Sequence, residues 1–450
     1  MPVSGNPDES TSSAGQAMPA PPPSRLQLAM RSLRHRNFRL FFSGQLISLI
    51  GTWMQNIAQA WLVYRLTGSS LLLGIVGFAS QIPVFILAPI GGAVADRHNR
   101  HRVVIGTQAA SLVLAFILAA LTLSRTVQVW HIMVLAALLG VVNAFDIPAR
   151  QAFIVEMVGK EDLMNAIALN SSMFNGARII GPAIAGVLVA SIGEGWCFFA
   201  NGVSYIAVIA GLLLMHVQFS PRVHESSPLE HIIEGFRFVR RTLPIRDLLL
   251  LLGLVSLVAM PYSVLMPIFA DKILHSGARG LGILMGATGV GALIGALMLA
   301  AKSGIRGLGR WVAVSTAAFA VTLILFSWSH AFWVSTLVLV PAGLAMMVQM
   351  AASNTLIQAM VPDELRGRVM AVYSMMFMGM APLGALFAGV LADRLGAPLT
   401  LSIGALACLA GAAVFWKRLP ALRVEARQLI IAQAAAGGEP AEQSTARSIS

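Results

Sequence analysis

The chain has 450 residues, of which 57% are apolar and 11% charged, and its mean hydropathy is +0.78. So little polar surface cannot cover a water-soluble body of this size, which excludes a soluble globular enzyme and makes lipid the solvent. The net charge of +12 raises the question of a nucleic-acid partner, but the basic residues lie in short loops between apolar runs and form no basic domain, so nucleic acid is excluded as well.

Taken in order, residues 1–24 are polar, rich in Pro, Ser and Gly, and without the apolar core of a signal peptide; they read as a disordered tail. Over 25–42, Arg31, Arg34, Arg36 and Arg39 interleave with Leu33, Phe38 and Phe42. This basic amphipathic flank suits a helix on an anionic leaflet and equally suits a solvated positive flank. A bilayer core of roughly 30 Å needs about 20 mostly apolar residues per helix. Twelve such runs follow, near 43–65, 72–95, 103–123, 129–149, 167–192, 196–217, 246–270, 281–302, 311–328, 332–356, 369–392 and 398–416. Continuous runs of this length exclude a strand barrel, whose segments are short and alternating. The fold class is an all-α polytopic membrane protein with a six-helix bundle over 43–217, a linker over 218–245 and a second six-helix bundle over 246–416. Residues 417–450 form a tail that reads as disordered beyond Leu419.

Of the 31 Lys and Arg, most fall in loops on one face, the opposite face carrying Arg65, Arg125, Lys272, Arg279 and Arg394. By the positive-inside rule both termini are cytoplasmic. Shifting the chain by 203 residues places Met157-Val158 on Met360-Val361, Gly181 on Gly384, and Ala185-Gly186-Val187-Leu188 on Ala388-Gly389-Val390-Leu391. The two halves are therefore parallel six-span repeats, an arrangement that leaves a cavity between them which rocking can open to either side.

The loop after the second span reads Gly92-x-x-x-Asp96-Arg97-x-Asn99-Arg100-His101-Arg102. With twelve spans and the repeat, it resembles the loop motif of the major facilitator superfamily, departing from it where Asn99 replaces glycine. The runs Gly51-x-Trp53-x-Gln55-Asn56-x-x-Gln59-x-Trp61 and Asn143-x-x-Asp146-x-Pro148-x-Arg150-Gln151 are similar to the branch containing enterobactin exporters, the transmembrane secretion effectors. Asp96 sits at a helix C-terminus, where the dipole disfavours a carboxylate by roughly 0.3 to 1 kcal/mol. The resemblance implies a compensating contact with the start of the eleventh span, Arg366-Gly367-Arg368-Val369. Gly92, Asp96, Arg97, Arg100 and Arg102 are accordingly expected to form a latch that holds the outward-facing state, unless the cluster sets topology alone. The repeat carries no acid at the matching Leu299, and the look-alike Gly389-x-x-x-Asp393-Arg394 lies on the outer face.

In the fifth span, Gly176, Gly181, Pro182 and Gly186 resemble the glycine-proline motif of exporters in this superfamily, and Gly282, Gly286, Gly291 and Gly295 make the eighth span a packing partner. Two ionisable groups, Asp146 and Arg178, lie inside spans at a cost of about 2.5 to 3.5 kcal/mol each. Asp146 reads as a proton carrier or as an i,i+4 partner of Arg150. Arg178 reads as a contact for an anionic substrate or as a partner of Asp146. Gln55, Asn56, Gln59, Asn143, Tyr262, Gln349, Asn354 and Gln358 are candidates to line the cavity or to bond helices together. The methionine-rich stretch from Met346 to Met380 suits core filling better than a pocket.

No His-Glu-x-x-His or Gly-x-x-x-x-Gly-Lys-Ser/Thr motif is present, so neither an embedded metalloenzyme nor an ATP-driven pump is expected, and no metal or cofactor is implied. The resemblance implies a secondary active exporter of a small amphipathic molecule in the bacterial inner membrane, powered by proton antiport. Uptake, or a non-transporting receptor of the same fold, are the alternatives. The expected partners are a small-molecule substrate, protons and the lipid bilayer, with the chain a monomer.

Overall fold

The computed structural model describes residues 30–159, 161–215, 228–302 and 304–436. The disordered tail expected over 1–24 lies outside them. The described chain is helical, in the order α1 (Arg36–Thr67), α2 (Ser70–Arg97), α3 (Arg100–Leu123), α4 (Val129–Val158), α5 (Leu163–Ile192), α6 (Glu194–Leu213), α7 (Pro228–Arg241), α8 (Leu243–Ile273), α9 (Gly277–Ala300), α10 (Leu308–Ser327), α11 (Phe332–Met360), α12 (Asp363–Leu395) and α13 (Ala397–Ala436). All but α1 and α7 are long and apolar enough to cross a bilayer, eleven in all. With 32 residues, α1 is about 48 Å long at 1.5 Å per residue. Its polar Gln45, Gln55, Asn56 and Gln59 dilute its hydropathy, yet it packs along α5 and α6 inside the first bundle, as a twelfth span must.

Local chemistry sets the helix ends. Gly68 takes a left-handed φ of 62° to close α1, and the Ser69 hydroxyl accepts from the Leu72 amide, 3.3 Å, to start α2. Proline explains the broken helices: Pro261 cannot donate to Leu257, and α8 is interrupted there before continuing as Tyr262–Ile268 and a π turn, Phe269–Ile273. Pro382 likewise leaves the Met378 carbonyl without its partner, and α12 breaks at Gly379.

Packing follows the sequence repeat. In the first half α2 and α3 pack on α4, and α1 and α3 on α6; in the second half α9 and α10 pack on α11, and α8 and α10 on α13. The halves meet along two seams, α5 with α9 and α2 with α12. Glycine permits both. A Cβ on Gly282 would stand 2.8 Å from the Gly186 Cα, and one on Gly389 would stand 2.8 Å from the Gly74 Cα.

The core is fused at one end and divided at the other. On the face opposite the basic loops a single apolar cluster joins both halves, running from Tyr64 and Leu73 through Ala185 to Leu281 and Ala388. Toward the basic face it separates into one cluster around Phe38, Phe153 and Leu212 and another around Leu248, Met360 and Phe415.

Two sequence expectations need correction, those for the flank and for the tail. The flank over 25–42, where described, is not a separate surface helix: α1 already begins at Arg36, and Phe38 and Phe41 are buried. It is pinned to the loop before α5, since Arg31, Arg34 and His35 reach Asp162 at 2.7, 2.9 and 2.7 Å, and the Ser32 hydroxyl donates to Asn165. The linker contains a helix, α7, whose Gly235 backs onto the Arg368 carbonyl at the start of α12. The tail is helical to Ala436, because Leu419, Leu422, Ala426 and Ile430 recur at helical spacing and pack on the basic-face core of the second half. Residues 437–450 of that tail lie outside the described residues.

Candidate functional site: a passage between the two halves

A cavity of about 420 Å³ lies in the middle of the molecule, walled by Trp53, Asn56 and Gln59 of α1, Ser80 and Gln81 of α2, Asn143 of α4, and Ser263 and Met285 of the second half. A second compartment, about 580 Å³, runs between Pro89 of α2 and Gly367, Arg368 and Met375 of α12. The two share Val84, Phe85 and Met378, so they lie end to end along the seam of α2 and α12 and mark a passage toward the basic face that Phe85, packed against Gly379, narrows.

The other end is shut. The Tyr64 hydroxyl donates to Asp271 Oδ2, 2.9 Å, joining the end of α1 to the π turn of α8. Lys272 reaches the Gly68 carbonyl at 3.4 Å and lies 5.9 Å from the centre of the Tyr64 ring. The Gly74–Gly389 approach seals the neighbouring seam. This closure was missed in sequence: nothing local to Tyr64, Asp271 and Lys272 says that they face one another across the two halves.

Arg178 sits between the halves but is not among the residues that line either compartment. Its guanidinium lies 5.9 Å from the Trp53 ring centre, 3.8 Å from Met346 Sδ, and interacts with the Tyr262 hydroxyl. Among the described residues no carboxylate lies within ion-pair distance of it. The pairing of Arg178 with Asp146 is not made. Asp146 is 3% exposed and turned toward α3, accepting from Thr107 and Gln108 at 2.8 and 2.9 Å, with Arg150 Nε at 3.4 Å one turn along α4.

The polar candidates divide. Asn56, Gln59 and Asn143 line the cavity. Gln55 is buried and accepts from Asn201, 2.8 Å, which makes it a bond between α1 and α6. Tyr262 is buried against Phe319, and Asn354 and Gln358 bond to each other away from the cavity. Gln349 is buried with neither amide atom bonded among the described residues. Gly181 packs on Trp53 and Gly186 on α9, whereas a Cβ on Gly176 or Gly92 would meet open space, so those two are not close-packing positions. Gly282 faces α5, but Gly291 and Gly295 face α11, within their own half. The methionines split too: Met346 and Met360 are core, while Met375 and Met378 line the passage.

At the loop motif, Asp96 Oδ1 takes Arg100 Nη2 at 3.2 Å, and Arg100 Nη1 reaches Glu156 at 2.7 Å. Asn99 stands in for glycine because it caps α3, accepting from the Arg102 amide at 3.3 Å. Asp96 is about half exposed. The start of α12 is engaged elsewhere, Arg366 with Asp363 and Arg368 with Glu234 of α7. Arg97 and Arg102 join no ion pair among the described residues.

Residues 28–437 match the family model described as transmembrane secretion effector. The chain belongs to that family. It is 27% identical over 382 residues to the staphyloferrin A transporter of Staphylococcus aureus, covering 84% of this chain and 95% of that one. It is 29% identical over 366 residues to the multidrug efflux pump Tap of Mycolicibacterium fortuitum, with 77% and 87% covered. To the enterobactin exporter EntS of Escherichia coli it is 25% identical, with 83% and 86% covered. Two solved structures share its fold. The nucleoside transporter NupG has a TM-score of 0.66 at 13% identity, covering 87% of this chain and 99% of its own. A bacterial homologue of the lysosomal transporter Spinster, inward-facing and unoccupied, has a TM-score of 0.62 at 13% identity, with 91% and 98% covered. The chain is thus a multi-pass membrane protein with the major facilitator fold and the character of a small-molecule transporter.

Proposed function

We propose that the chain is a secondary active exporter that moves a small amphipathic molecule, siderophore-like or drug-like, across the bacterial inner membrane by alternating access. The observation that carries this reading is the core that is fused on one face and split on the other, with a mostly apolar passage, set with a few amide and hydroxyl side chains, entering between the split halves. The basic face is assigned to the cytoplasm by the positive-inside rule, so this conformation is open to the cytoplasm and ready to load. Arg178 lines neither compartment but touches Trp53, which does, and it is assigned a substrate contact made as the halves move, because a guanidinium with no carboxylate beside it among the described residues is poised for a negative or electron-rich group. Export rather than uptake is supported by the glycine-proline sequence of α5 and by the relatives named for efflux and export.

The return to the loading state is driven by protons, with Asp146 as carrier. Its three partners favour a second reading, a fixed pair that braces α3 against α4. On the other side of the cycle, Asp96 leaves Arg100 and meets the start of α12, closing the passage where Arg368 now lines it.

The test is an untargeted comparison of excreted metabolites and drug susceptibilities between cells lacking the protein and cells complemented with it. Accumulation of one compound class outside the complemented cells, with raised tolerance to similar drugs, is the expected result. Accumulation inside them would overturn export.

A further inference from the structure

A third cavity, of about 450 Å³, lies at the basic-face end of the second half and shares no lining residue with the passage. Its walls are apolar, built by Leu248 of α8, Met360 of α11, and Phe415 and Leu419 of α13. Four guanidinium groups line it: Arg306 and Arg310 around the start of α10, Arg423 and Arg427 on the part of α13 that continues past the expected last span. Among the described residues no acidic side chain lines it. Arg310 and Arg423 are close enough for each charge to act on the other. Asp247, at the first turns of α8, is already held by Arg246 and by Arg418 at 3.0 Å, so it does not neutralise them. Arg423 and Arg427 are also spaced i,i+4, a like-charge pair that weakens a helix on its own.

A pocket with a basic rim and apolar walls suits a ligand with an anionic head and an apolar body. Its position matches the bilayer boundary of the basic face, since the walls are the ends of membrane helices and the rim belongs to a loop and to the extension of α13. We propose that this cavity binds the phosphate headgroup of an anionic glycerophospholipid from that leaflet, with an acyl chain against the Phe415 and Leu419 wall. Free phosphate satisfies the arginines but leaves the apolar wall unused. The proposal is independent of what the passage carries.

The experiment is native mass spectrometry of the full-length protein in mild detergent, with phosphatidylglycerol or phosphatidylcholine of matched chains added, and inorganic phosphate in a separate arm. Phosphatidylglycerol is expected to be retained in preference to phosphatidylcholine. Replacing Arg423 and Arg427 together by Gln removes two headgroup contacts and should weaken that retention about thirtyfold. The double replacement by Lys should restore most of it, and Arg240→Gln with Arg241→Gln on α7 should leave it unchanged. Equal retention of both lipids, or unchanged retention in the Arg423→Gln, Arg427→Gln protein, would overturn the proposal. Displacement of the lipid by millimolar phosphate in parallel with phosphate binding to lipid-free protein would overturn its lipid part.

Discussion

A charge inside a membrane protein is defined by what stands beside it, and half-buried Arg178 and buried Asp146 have opposite surroundings. Arg178 has an aromatic ring, a thioether and a phenol, which soften its charge without cancelling it. Asp146 has two donors and a cation. If it carries protons, Asp146→Asn should abolish the dependence of efflux on the pH gradient while substrate exchange persists, at a stability cost of about 1 to 3 kcal/mol for the unmatched Arg150. Unchanged gradient dependence in vesicles would leave it only the bracing role. Asp162 gives a pH prediction outside the spans. Its hydrogen bond with His35, reinforced by Arg31 and Arg34, holds its carboxyl below the ordinary 3.8 despite burial. A lowered folded value means that the flank's docking is fully present above the ordinary value and is lost as pH falls through the lower one. Acid unfolding should therefore soften first at this contact, and Asp162→Asn should be less stable at neutral pH with a flatter acid limb in a melting series.

Helices are where the sequence was most legible. The twelve spans, the 203-residue repeat and the contact of α5 with α9 all follow from apolar length and small-residue spacing, which are properties of single segments or pairs. Gly282 makes that contact testable. A valine there would drive carbon into the Pro182 carbonyl and the Gly186 Cα, each under 3 Å from a Cβ, and should cost about 1 to 3 kcal/mol in thermal stability. Gly295→Val should instead disturb α11 within the second half. Illegible were features that depend on the partner surface. Gly176 and Gly92 matched motifs by letter, yet each faces open space. The order of α13 beyond Leu419 came from a core it meets only after folding, and its Ala-rich composition concealed the Leu422, Ala426, Ile430 stripe.

For the molecule as a whole, the proposed cycle rests on two closures, one at each face. One is made, between Tyr64 and Asp271, and the other is unmade, with Asp96 on Arg100 and Arg368 on Glu234. A protein with Ala371→Cys in the passage should react with thiol reagents from the cytoplasmic side, against a low background from the buried Cys197 and Cys408. Asp96→Asn should keep it reactive throughout turnover and abolish transport at normal membrane abundance; full transport by that variant would exclude the latch. Sequence gave the Asp96 cluster because its charges are contiguous, whereas the opposite closure joins residues from different halves and has no local signature. The fused core has a thermal consequence. Leaving the present state parts an apolar cluster shared by both halves, so hydrocarbon surface is hydrated before a new seal forms on the other side. Such a step raises the heat capacity. Turnover by this protein should then follow a curved rather than a straight line in an Eyring plot, with the bend set by how tightly the two halves are joined at their closed end.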